Sequence, residues 1–171
     1  MAVVPGTWTK TADGYKGTIY TLPDRGYNSG TVFSDYGARL QTFDINFKPY
    51  TDAANLPAGP ASQNQLTFDY KGGILLKDMN GNPFTGNNPG AGMTVQDGHT
   101  LPSPLAGQLG AGKISIDSEA VAITRGGNFY VGDEYTGGVY YFDKTGQMQG
   151  FIDPVAALQP ASGGTPITAS I

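Results

Sequence analysis

The sequence predicts an all-β protein, and three observations predict it. Glycine supplies 26 and proline 12 of the 171 residues, so chain reversals are frequent and long helices are excluded. Glutamate occurs only at Glu119 and Glu134, and charged residues make up 14% of the chain, too few for amphipathic surface helices. The 10 tyrosines and 8 phenylalanines fall largely in short β-branched, aromatic runs bounded by Gly, Asn and Asp.

Each element follows from its residues. Gly17 to Leu22 (GTIYTL) alternates and ends at Pro23-Asp24, which predicts a strand running into a turn. Ala38 to Phe47 (ARLQTFDINF) predicts a longer strand, and Gln65 to Lys77 (QLTFDYKGGILLK) an outer strand pair. Residues 78–113 are rich in Gly, Asn and Pro and read as a long functional or disordered insertion. Beyond it, Glu119 to Thr124, Asn128 to Gly132, Val139 to Asp143 and Gln147 to Ile152 predict four strands joined by glycine turns. Such a meander is the unit of a propeller blade. GTIYTL resembles GNFYVG at 127–132, and each precedes acidic residues, so 15–77 and 114–152 read as two blade-like units. The expected architecture is a single domain, a partial β-propeller of four-stranded antiparallel blades. The tail from Pro154 carries one short apolar run and then PASGGTPITAS, as in a chain cut short.

Charge and composition exclude several functions. The net charge is −4 and the ten basic residues form no cluster, so a nucleic-acid footprint is absent. The chain has no cysteine, which removes disulfides, thiolate nucleophiles and zinc–thiolate sites. No window of 18 apolar residues exists to span a membrane, and MAVVPGTWTK lacks the regions of a signal peptide.

The candidate site residues are carboxylates and one arginine. Asp24 and Arg25 follow a strand in Leu22-Pro23-Asp24-Arg25-Gly26, where Asp24 can act as base or metal ligand and Arg25 can pair with it or hold an anion. A Pro-Asp-x-Gly turn also forms with no function at all. Asp117, Glu119, Asp133 and Glu134 flank two adjacent strands, and antiparallel pairing gathers them at one sheet end. Four carboxylates there repel unless a cation or proton intervenes, and hard oxygen ligands suit Ca²⁺ or Mg²⁺. The competing reading is a set of separately solvated turn acids. Asp78-Met79-Asn80-Gly81-Asn82 imitates an EF-hand loop, but Pro83 and Pro89 occupy its required Gly and Glu positions, so a hairpin turn explains it. His99 is the only histidine, no G-x-S-x-G elbow accompanies it, and it reads as a solvent-facing loop residue. Trp8 and the tyrosines read as core packing.

The runs TIYTLPDRGYN, ARLQTFDINF and KISIDSEAVAITRGGNFYVGDEYTGGVYYFDKTGQMQGFIDP resemble the phytase-like family labelled "esterase-like activity of phytase". The resemblance covers most of residues 15–160. It implies a β-propeller, export from the cell, and hydrolysis of a phosphate or other small-molecule ester with calcium assistance. It carries over Asp24, Arg25 and Glu119 as catalytic, and Asp117, Glu119, Asp133 and Glu134 as metal ligands. Two positions depart from the family pattern: Ala120 replaces a glycine, and Thr136-Gly137 replaces Gly-Pro. Family members are longer, so a fragment is expected. The alternatives are a non-enzymatic propeller module that binds a ligand or protein, and a fragment too incomplete to act.

Overall fold

Strand alternation builds two antiparallel sheets that share one core. The computed structural model describes residues 1–27, 34–52, 54, 65–89 and 92–157, and the backbone alone of 158, 161–162 and 165–166. In the first sheet, β1 (Ala2–Val3) and β2 (Thr9–Lys10) flank β3 (Tyr15–Thr21), which pairs with β4 (Arg39–Phe47), and β4 with β5 (Leu66–Leu75). In the hairpin β6 (Gly92–Gln96) and β7 (His99–Ser103), Asp97 and Gly98 both have positive φ, as a two-residue turn requires. The second sheet is a meander in the order β11 (Met148–Ile152), β10 (Val139–Phe142), β9 (Phe129–Asp133), β8 (Ser118–Ile123). A two-residue pair, β12 (Ala161–Ser162) and β13 (Thr165–Pro166), follows a short 3-10 turn at Ala156–Leu158. The side chains of the expected PASGGTPITAS stretch lie outside the described residues.

The core forms where the inward positions of the two sheets meet. Leu40 of the first sheet and Phe129, Val131, Tyr140, Phe142 and Met148 of the second are buried in one cluster with Leu76, Phe84, Leu101, Ile114 and Ile116. Period-2 alternation puts Phe129 and Val131 on the face that pairs with Phe142 and Tyr140. The sheets are stitched by backbone: Lys77 N–H donates to Gly146 C=O at 2.8 Å and Met148 N–H to Lys77 C=O at 2.8 Å. Gly146 has φ +85°, and a Cβ there would lie 2.2 Å from the Leu75 carbonyl oxygen, so only glycine permits the junction.

Three expectations change. Within Gln65–Lys77, Leu66–Leu75 form one long strand, β5, at the sheet's edge among the described residues, rather than an outer pair, because Gly72 (φ +128°) and Gly73 extend the pairing with β4 through a bulge instead of reversing the chain. Residues 78–113 are not one open loop. They hold the β6–β7 hairpin, bury Phe84 and Leu101, and bridge Thr85 to Ser115. Trp8 is not core: it is 44% exposed, stacked on Tyr15 at 5.7 Å.

Candidate cation centre

The candidate site sits where β8 enters the second sheet. Ser118 pairs with Asp133 and Ala120 with Gly132, so Glu119 is the extra residue of a β-bulge. A bulge re-aims the side chain it carries. Glu134 N–H donates to the Asp117 carbonyl at 2.9 Å, which holds the β9 exit beside the β8 entry. Carboxylate oxygens of Asp117, Glu119 and Glu134 thereby lie within 4.8 Å of one another. Asp117 is buried, while Glu119 and Glu134 are exposed.

Arg25 reaches this cluster from the end of β3, 92 residues away in sequence. Its Nε donates to Asp117 Oδ2 at 2.5 Å, and its guanidinium lies 5.2 Å from the Tyr135 ring centroid. Room for it comes from Gly86: a Cβ there would meet Arg25 Cβ at 2.8 Å. Arg25 Nη1 is buried without a hydrogen-bond partner among the described residues. With Nε committed and Nη1 enclosed, Arg25 serves Asp117 first. Asp24 is exposed, and its Oδ1 accepts the Gly26 N–H at 2.6 Å in an Asx turn.

Asp133 stands apart from the three converging carboxylates. It is 5% exposed. Its Oδ1 accepts the Asp117 N–H at 2.8 Å, and its Oδ2 accepts Thr136 N–H at 3.0 Å and Thr136 Oγ1–H at 2.8 Å. These donors place it beneath the site, tying β8 to the β9–β10 turn. Sequence reasoning missed Thr136 and Gly86. Thr136 stands at one of the two departures from the family pattern, and its hydroxyl also accepts the Gly138 N–H at 3.0 Å. The other departure, Ala120, fits because Gly132 opposite has no side chain; a Cβ on Gly132 would lie 3.3 Å from that of Ala120.

Electrostatics follow the geometry. Burial pushes Asp133 up to about 6 despite its donors. Burial also raises the Asp117 carboxyl; Arg25 offsets part of this, while Glu134 and Asp24 add to it. Glu119 is raised by burial and then by the charges of Asp117, Glu134 and Asp24. Burial would lower Arg25, but its hydrogen bond to Asp117 and the nearby Tyr135, Asp117 and Asp24 hold it above its ordinary value. Crowded carboxylates raised by one another relax on gaining a proton or a cation.

His99 and Asp78 take no part in the cluster. His99 begins β7, is partly buried against Phe151, and has Nδ1 3.1 Å from Asp153 Oδ2, so it is not a solvent-facing loop residue. Asp78 is buried, and its Oδ1 accepts N–H groups of Asn80 and Asn82 while its Oδ2 accepts Gln96 Nε2–H, a knotted turn.

Fold and site together define an all-β protein with three converging carboxylates and an arginine clamp. The chain belongs to the phytase-like family described as "Esterase-like activity of phytase", whose model matches residues 10–168. It is 34% identical to an "Uncharacterized secreted protein" of Arthroderma benhamiae, over 96% of this chain and 33% of that protein. The chain thus spans about a third of the curated relative's length. No solved structure matches it. Among the described residues, no helix is long and apolar enough to cross a membrane.

Proposed function

We propose that this chain carries the cation-binding part of an exported hydrolase of phosphate or other esters, and that its four-stranded sheet is one blade of a β-propeller. The observation that carries this reading is the convergence of Asp117, Glu119 and Glu134 oxygens within 4.8 Å. Family membership supports the hydrolase class, and the relative's name supports export.

The donor set fits a hard divalent cation such as Ca²⁺, which favours several carboxylate oxygens at flexible geometry. Bound there, such an ion would neutralise a substrate anion and polarise its P–O or C–O bond. The chain's own residues do the rest. Arg25 fixes Asp117 by its Nε bond. The Asp133 carboxylate fixes the Asp117 backbone. Glu119, exposed at the bulge, would offer its carboxylate to the cation from the solvent side. Asp24 lies near enough to raise both Asp117 and Glu119. The net charge of −4 repels a heavily anionic substrate unless cations are present, which gives calcium a second use.

Hydrolysis of p-nitrophenyl phosphate and p-nitrophenyl butyrate tests the proposal, with added calcium and then with EDTA. Calcium-dependent turnover of one ester, lost in Glu119→Gln, supports it. Turnover indifferent to EDTA and to Glu119→Gln overturns it. The second reading, a binding module, rests on the aromatic residues exposed on the first sheet, Trp8, Phe68 and Tyr70. Absence of turnover with both esters favours it.

A further inference from the structure

The outer strand β5 ends the first sheet, and among the described residues nothing pairs with its free edge. Its segment Leu66–Lys71 is exposed throughout. Lys48 N–H donates to the Gln65 carbonyl at 2.7 Å, so Gln65, Thr67 and Asp69 bond inward to β4. The N–H and C=O groups of Leu66, Phe68 and Tyr70 therefore point outward, away from β4. The side chains of those same three residues share one face and are 46%, 55% and 57% exposed. Phe68 and Tyr70 lean on Phe43 at ring-centroid distances of 6.0 and 5.4 Å, which widens the apolar face inward.

Edge strands are usually guarded by proline, by bulges or by unpaired charge. Here Leu66–Tyr70 holds no proline, and the bulge lies beyond it, toward Gly72. The charges do not guard either: Lys71 Nζ bonds Asp69 within the chain and lies 3.6 Å from Asp44.

We propose that β5 is a self-pairing edge: a second copy of this chain adds its own β5 antiparallel, with the twofold axis at Phe68. That register sets Leu66 opposite the second copy's Tyr70, and Phe68 opposite Phe68. All outward backbone groups from Leu66 to Tyr70 then find partners, and the apolar stripe continues from copy to copy. On the other face, Asp69 meets a Thr67 hydroxyl, which donates to its carboxylate, and Lys71 meets Gln65. Moving the axis to Asp69 sets two carboxylates opposite each other, which opposes that register. Moving it to Tyr70 requires Gly72 to bond outward, whereas beyond the bulge Leu76 N–H to Ala38 C=O at 2.8 Å places Gly72 and Ile74 inward. Of these three registers, the one centred on Phe68 pairs the outward groups without opposing like charges or the bulge.

The test uses the full 171-residue chain, which contains no cysteine. Sedimentation velocity at about 100 µM, where a micromolar dimer is nearly saturated, is expected to give twice the monomer mass, and Phe68→Lys to return it to monomer while still unfolding in one cooperative thermal transition. Opposed residues of a bonded pair have Cα atoms about 5.5 Å apart, within disulfide reach. Phe68→Cys is therefore expected to form a disulfide dimer under mild oxidation. Leu66→Cys, offset by about 14 Å along the ladder, is not. A monomer at that concentration, a dimer that persists in Phe68→Lys, or equal cross-linking of the two cysteine variants overturns the proposal.

Discussion

Asp133→Asn separates the buried hydrogen bonds of Asp133 to Asp117 and Thr136 from the converging carboxylates by its dependence on pH. Asp133 titrates near 6 in the folded protein against an ordinary value of 3.8. Its folded value is raised, so between these limits the folded state binds more protons than the unfolded state. Stability therefore falls as pH rises through that window. That rise corresponds to about 3 kcal/mol, lost between about pH 4 and pH 6. At 5% exposure solvent does little to screen this. The substituted asparagine is neutral at every pH and retains an oxygen for the Asp117 N–H. Its amide, however, faces the Thr136 N–H, a donor against a donor that costs about 1–3 kcal/mol. The assay is urea unfolding of both proteins in EDTA from pH 4.5 to 7.5. Wild type is expected to be the more stable at the acid end, with the gap closing by about 2 kcal/mol from pH 4.5 to pH 7.5, the rest of the change lying below the assayed range. A gap independent of pH would mean that Asp133 keeps its ordinary acidity in the folded protein, and the account of it as a group raised by burial would fall with it.

Three further outcomes follow from the same geometry. Arg25→Met strips Asp117 of its partner; a buried pair costs about 3–5 kcal/mol to break, and Arg25's 23% exposure reduces this to about 2 kcal/mol by chemical unfolding. Added calcium is expected to raise the Tm of that variant more than that of wild type. Gly86→Ala drives a methyl against Arg25 Cβ and Tyr36 Cβ, so a loss of about 1–3 kcal/mol is expected, with a fall in calcium affinity that a remote overpacking would not cause. Tyr140→Phe is expected to leave stability unchanged or raise it by about 1 kcal/mol, because the Tyr140 hydroxyl is buried without a partner among the described residues.

Strands were legible wherever period-2 alternation met a glycine turn. The four strands of 118–152 lie within a residue or two of their predicted bounds because Gly127 and Gly146, both at positive φ, punctuate them. The β6–β7 hairpin was missed although Asp97-Gly98 is a strong hairpin signal; the surrounding Gly, Asn and Pro masked it. Burial of Phe84 and Leu101 was not legible, since an isolated apolar residue in a polar run carries no period. At the site, antiparallel pairing announced that the acids of β8 and β9 would meet. It could not announce the bulge that singles out Glu119, nor that Asp133 would turn inward to Thr136. Arg25 reaching Asp117 is a tertiary contact that Gly86 permits, and nothing local to either residue encodes it.

Whether Asp117, Glu119 and Glu134 together hold a divalent cation is decided by isothermal titration of calcium chloride into the chain and into the Glu119→Gln, Glu134→Gln double variant. Wild type is expected to give a saturable one-site isotherm and the double variant to lose it, with both proteins showing the same cooperative unfolding in EDTA. An isotherm unchanged by the two substitutions, or no saturable binding in wild type, would contradict a cation centre at these carboxylates.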